Sequence, residues 1–352
     1  MVKSRSKWRI ILTIATFALL AGLIYALRKD IGGVFENLGK VNAIALFLII
    51  PAQLLNYDSY ARLYRSLLAT LGRKVGYWPM YRFVLELNFV NHILPSAGVS
   101  GISYFSVRAQ SVGVKTSEST LIQITKMFML YASYQPLLIL GLVLLAARGH
   151  VNNFIMLIAS VLITLVVVGT LLVVYVIEDR KRIRSFLAII TKSINWIIHR
   201  FRRNHPETLN VAKAQQTFDE LHDNYQTLKT NWRQLKKPFL YTMMANATEI
   251  ATLYVVFIAF GHFVNIGAVI LAYAVANFAG LLSVLPSGIG VYESLMIAVL
   301  AVTGIPKELS IPVTIMYRVL SMFVQLTPGY YFYQKAVKVG LSAPDHEARA
   351  DS

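Results

Sequence analysis

Cysteine is absent from the 352 residues, which excludes disulfides, thiolate metal sites and cysteine nucleophiles. Charge is sparse at 14%, and acids are the scarcer sign, 17 against 34 Lys and Arg. Catalytic signatures are missing too. No H-E-x-x-H, D-x-D or P-loop occurs, and the seven histidines are scattered along the chain, so neither an enzyme nor a cofactor is expected. The formal net charge of +17 would suit nucleic acid on a polar chain. On one that is 56% hydrophobic, Lys and Arg instead set topology and meet anionic headgroups, so no nucleic-acid partner is expected.

What the sequence has is apolar length. Runs long enough to span a bilayer occupy residues 10–27, 41–57, 121–147, 151–177, 239–260 and 311–332, since a spanning helix needs about 20 residues. Two interrupted apolar runs, residues 79–94 and 266–300, each hold a version of one phrase. The first reads N-F-V-N-H-I-L-P-S-A-G-V-S-G from Asn88, and the second N-F-A-G-L-L-S-V-L-P-S-G-I-G-V-Y-E from Asn277. Proline removes a backbone donor and glycine weakens the helix beyond it. In lipid such an opening must be covered by protein or face water. The spacing therefore predicts an all-α polytopic membrane protein with about six full spans and two broken or re-entrant helical hairpins.

The basic N-terminus, with Lys3, Arg5, Lys7 and Arg9, belongs inside. Residues 59–81 read as an interfacial helix with a basic face that makes ordinary headgroup contact. Residues 178–237 form a cytoplasmic insert. It holds a basic amphipathic helix from Ile183 to Phe201, then an apolar seam of Ala214, Phe218, Leu221, Tyr225, Leu228, Trp232 and Leu235, predicted to be a helical hairpin packing on itself. In an alternative reading the chain is a non-catalytic integral-membrane scaffold or accessory protein for cell-envelope lipid or polysaccharide assembly, with this insert as the docking surface for envelope-biosynthesis partners. A single transmembrane domain covers residues 1–338, and residues 339–352 form a disordered cytoplasmic tail.

Parity places the two phrases in opposite orientations. Their surroundings match as well. Asp58 stands as far before Pro95 as Glu249 stands before Pro286, and Lys126 stands as far after Pro95 as Arg318 stands after Pro286, once the residue implied by aligning Gly98 with Gly290 is removed. This is the inverted repeat of many transporters, whose sites lie at the repeat interface. An ionisable side chain deep in a span costs about 2.5 to 3.5 kcal/mol on insertion scales. Lys126, Glu249, Glu293 and Arg318 should therefore face partners or a wet cavity. Either Glu249 or Glu293 pairs structurally with Arg318, or Lys126 and Arg318 present charge to a phosphate, reinforced by free N–H groups beyond Pro95 and Pro286. Both hold if a carboxylate pairs the cation while the site is empty.

At these residues the chain resembles the flippase-like family that includes the transmembrane region of lysylphosphatidylglycerol synthases. The features are Asn88, Asn91, the L-P-S-A-G run through Pro95, Ser96 and Gly98, and Arg108. Later come Pro286, Ser287, Gly288, Gly290 and Glu293, followed by Tyr317 and Arg318. The resemblance implies a bacterial or archaeal plasma-membrane protein that moves an anionic, aminoacylated or polyprenyl-phosphate lipid between leaflets, with these residues around the path. Synthase activity is not expected, because no soluble transferase segment follows Lys338. Lys126 stands where the family pattern suggests Arg, keeping charge but losing bidentate geometry.

Overall fold

The computed structural model describes residues 41–93, 99–111, 113–147, 153–182, 211–282 and 288–339, with isolated positions elsewhere. The expected first span, most of the amphipathic helix from Ile183, the tail, and Pro95, Ser96, Gly98, Pro286 and Ser287 lie outside the described residues. Every regular element among the described residues is helical, as expected of an all-α polytopic membrane protein.

The helices are α1 Ala43–Leu46, α2 Ile49–Thr70, α3 Tyr77–Ile93, α4 Val99–Gln110, α5 Thr116–Ala132 and α6 Tyr134–Ala146. They continue with α7 Asn153–Glu178, α8 Val211–Thr230, α9 Lys236–Ala259, α10 Ile266–Leu282, α11 Val291–Val302 and α12 Lys307–Val339. Among the described residues, four stretches are long and apolar enough to cross a membrane: Thr116–Ala146, Asn153–Glu178, Trp232–Ala259 and Lys307–Val339. They match four of the predicted spans. In α7 only 17% of the apolar window is buried against the rest of the chain. Leu157, Leu165, Leu171 and Leu172 are exposed, an arrangement that makes sense only against lipid.

The predicted span over residues 41–57 takes a different form. A short turn of helix, α1, is capped by the Asn42 side chain, which accepts from the Ile44 and Ala45 amides, and the main helix runs from Ile49 to Thr70. This helix is polar inside and apolar outside. Gln53 and Asn56 are buried while Ile50, Leu54 and Leu55 are exposed. The expected interfacial helix over residues 59–81 is likewise replaced by the end of α2 and the start of α3, because Leu63, Tyr64, Leu67 and Leu68 are fully buried rather than lying on a headgroup surface.

Each phrase is flanked by two helices that pack on one another, α3 on α4 and α10 on α11. The halves then exchange partners. α12 of the second half packs along α3 of the first, α6 of the first packs along α10 of the second, and α2 and α9 cross between them. Small residues permit the closest approaches. A Cβ on Gly267 would fall 2.3 Å from the Gly141 carbonyl oxygen, and one on Gly329 would fall 2.7 Å from that of Leu85.

The seam of the insert also ends somewhere other than predicted. Leu228 and Tyr225 of α8 bury against Leu121 and Ile124 of α5, and Tyr225 also meets Ile177 of α7. Ser117 donates to Glu220 at 2.7 Å, His222 Nδ1 to the Ile177 carbonyl at 2.8 Å, and Lys229 pairs with Glu178. The described part of the insert is thus docked on the bundle, since α5 offers an apolar face wider than a short helix could offer itself.

Candidate functional site

Three helices, α2, α9 and α12, meet at a polar cluster in the interior. Glu249 on α9 accepts from Tyr317 Oη at 2.9 Å, from Gln53 Nε2 at 3.3 Å and from Gln325 Nε2 at 3.3 Å. Gln325 also donates to Gln53 Oε1 at 3.0 Å, and Gln53 donates to Thr252 Oγ1 at 3.2 Å. Neutral donors therefore hold this carboxylate, Gln53 from α2 and Tyr317 and Gln325 from α12 closing on α9. Asn56 extends the belt by donating to the Ala245 carbonyl and to Thr248.

The next residue along α12 faces the second phrase. Arg318 Nε donates to Glu293 Oε1 at 2.7 Å, and its guanidinium lies 4.3 Å from the Tyr292 ring centre. The other Glu293 oxygen accepts from the Gly290 amide at 2.6 Å, which caps the start of α11 and places negative charge on its positive end. Gly288 and Gly290 have φ of 67° and 85°, a region that costs a residue with a Cβ about 1 to 2 kcal/mol. The chain needs these turns to bring Glu293 back toward α12. Of the two sequence alternatives for pairing Arg318, the structure has Glu293. Arg318 also lies within electrostatic reach of His92, whose Nδ1 donates to the Asn88 carbonyl at 2.8 Å at the end of α3. Arg318 thus sits on the helix that packs against both hairpins, α3 of the first and α11 of the second. Ile289 of the second phrase packs on a core cluster that joins most of the first half's buried residues to Met322, Tyr333 and Val337 of α12.

Lys126 occupies a separate niche against α2. Its Nζ lies 5.8 Å from the Tyr60 ring centre and 6.0 Å from that of Tyr64, geometry suited to cation–π attraction. Among the described residues it has no ion-pair or hydrogen-bond partner. One turn earlier on the same helix face, Gln123 accepts from Tyr64 Oη at 3.2 Å, while its own buried Nε2 has no partner among the described residues. Tyr60 belongs to α2, the helix that also brings Gln53 to the central cluster.

Arg108 is placed inside the first hairpin. Its Nε meets Glu86 Oε2 at 3.0 Å, with the two side chains 7% and 4% exposed, and Tyr104 Oη donates to the same carboxylate at 2.7 Å. Asn91 lies flush on Gly101, where a Cβ would fall 1.9 Å from its Oδ1. Asp58, the repeat counterpart of Glu249, makes a local pair with Arg62 at 2.7 Å and accepts from Tyr77 Oη at 2.6 Å. Position repeats between the halves, but environment does not. Glu86, Gln53, Gln325 and Gln123 belong to no motif in the sequence, and Tyr60 and Tyr64 read there only as part of the expected interfacial helix. Glu86 carried a usable signal, a lone acid within F-V-L-E-L, since such a charge needs a partner.

These features define a multi-pass all-α integral membrane protein with ionisable residues on and around α12, the helix that packs against a hairpin of each half. The chain belongs to the family described as the lysylphosphatidylglycerol synthase TM region, which it matches over residues 10–329. It is similar to a UPF0104 membrane protein of Methanocaldococcus jannaschii, 22% identical over 92% of this chain and 94% of that protein. A UPF0104 membrane protein of Methanothermobacter thermautotrophicus is 27% identical over 38% of this chain and 42% of its own length. One of Pyrococcus horikoshii is 21% identical over 57% and 59%. The chain thus spans less than two thirds of two of these three relatives.

Proposed function

We propose that this protein translocates an anionic lipid, either an aminoacylated or other anionic phospholipid or a polyprenyl phosphate, between the leaflets of the plasma membrane. The headgroup passes between the two hairpins. The observation that carries the reading is the position of Arg318, bonded to Glu293 beyond one phrase on a helix that also packs against α3, which leads into the other. With the site empty, Glu293 holds the cation. A phosphate oxyanion arriving there takes over the guanidinium, whose planar fork suits it, and Glu293 keeps its bond to the Gly290 amide. Lys126 offers a second positive stop, because its charge is met by ring faces and by no carboxylate among the described residues. What supports a lipid as the cargo is family membership, through the synthase named in the family description.

In vesicles that report leaflet transfer of a labelled anionic lipid, Arg318→Ala and Lys126→Ala should each lower the rate at least about ten-fold, the loss of one charge-assisted contact, while thermal midpoints in detergent stay near wild type. Transfer at the wild-type rate in both folded variants would remove the proposal. Arg318→Lys should recover less than Lys126→Arg, because only the first exchange gives up a fork.

A further inference from the structure

A second concave site lies away from the hairpins. The end of α2, the turn after it and the start of α9 enclose a cavity of about 920 Å³ whose lining includes Arg62, Arg65, Arg73, Lys74, Arg233 and Lys237 and contains no acid. Three of these cations are engaged. Arg62 pairs with Asp58, Arg65 donates to the Val75 carbonyl at 2.9 Å, and Arg73 reaches Glu118 at 3.1 Å. Lys74, Arg233 and Lys237 have no ion-pair or hydrogen-bond partner among the described residues. Exposed tryptophans stand beside both walls, Trp78 at 61% after the turn and Trp232 at 59% next to Arg233. Trp78 forms an aromatic group with Tyr77 and Tyr81 at centroid distances of 5.2 and 5.9 Å. Amphipathic rings of this kind gather at the level of lipid headgroups.

We propose that this cavity is a binding site for a phosphate-bearing ligand at the membrane surface, held by Lys74, Arg233 and Lys237 and oriented by the fixed guanidinium of Arg65. The shared chemistry is a phosphate oxyanion, and the exposed tryptophans place it where a phospholipid headgroup sits. The engaged arginines stiffen the walls, and the three unengaged cations supply the attraction. This site is independent of the translocation reading, because none of its residues belongs to the Arg318 or Lys126 clusters. It is also more than diffuse headgroup contact, since the walls come from segments far apart in the chain.

The test is native mass spectrometry of the full chain in detergent with added phosphatidylglycerol, phosphatidylcholine or pyrophosphate, for wild type and the triple variant Lys74→Ala/Arg233→Ala/Lys237→Ala. Each basic residue near an anionic surface contributes about five-fold in affinity, so the triple variant should bind the anionic ligand about 100-fold more weakly. Its thermal midpoint should be unchanged. Phosphatidylglycerol binding that exceeds phosphatidylcholine binding and is lost in the triple variant assigns a lipid headgroup. Pyrophosphate binding that is lost in the variant, without phosphatidylglycerol selectivity, assigns a soluble phosphate ligand to the same site. Anion binding that survives in the triple variant, or equal retention of the zwitterionic and anionic lipids without pyrophosphate binding, overturns the proposal. If the triple variant does not fold, Lys74→Glu alone supplies the same comparison by reversing one charge.

Discussion

Glu86 is the residue whose charge is most fully enclosed by its partners. Arg108 and Tyr104 both bond to it, and the ion pair is nearly sealed from solvent. Removing one member of such a pair strands the other, at a cost of about 3 to 5 kcal/mol, whereas replacing both with apolar residues of similar volume is often close to neutral. Glu86→Ala should therefore lower the detergent unfolding midpoint sharply, and Glu86→Leu with Arg108→Met should recover most of the loss. A double variant as unstable as the single would show that the pair is needed beyond its mutual charge. The same geometry separates Arg108 from Lys126 among the cations named from sequence. One is locked in a hairpin, and the other faces only tyrosine rings. In the sequence Lys126 reads as an intramembrane base and Arg108 enters only through the family resemblance, and the surroundings of neither are legible there, because they lie on other helices or far along the same hairpin.

Among the described helices, the crossing of α6 and α10 brings a glycine nearest to another backbone atom. Gly267 and Gly141 let the backbones touch, and the obstacle to a methyl group at Gly267 is a carbonyl oxygen that no side-chain rotation can move. Gly267→Ala should cost at least about 1 to 3 kcal/mol as an overpacked contact. Gly169→Ala on the lipid-facing α7, with nothing within 4 Å of the added carbon, should be neutral or slightly stabilising. Equal midpoints for the two variants would contradict this crossing. Legibility differed between elements for a physical reason. Spans such as α7 and α12 announced themselves because their apolar runs are long. In α2, polar residues point inward to Glu249 and apolar ones outward, so averaging over a window hides it. Of the seam, Tyr225 and Leu228 are covered by α5 while Trp232 is exposed, because periodicity says that a face is apolar and not what covers it.

At the scale of the whole molecule, the two halves are joined by exchange. The Leu-Pro-Ser phrases predicted the hairpins and their flanking charges, and the helices on either side of each do fold against one another. The basic cavity was invisible in the sequence, since its walls come together only when α2 meets α9. Because the chain has no cysteine, single probes can be placed without a background. Ser96→Cys and Ser287→Cys should be labelled by a membrane-impermeant maleimide from opposite sides of sealed vesicles, and labelling from one side would exclude the inverted arrangement. The exchange also sets a timetable for biogenesis. α3 is synthesised early, yet Leu85 and Phe89 meet Gly329 and Tyr330 only when α12 has been made. Until then the first hairpin holds a surface meant for protein, and the nascent chain must dwell in the membrane with that surface uncovered. Neither half can be finished before the other, so this molecule cannot mature one repeat at a time as strings of independent domains do.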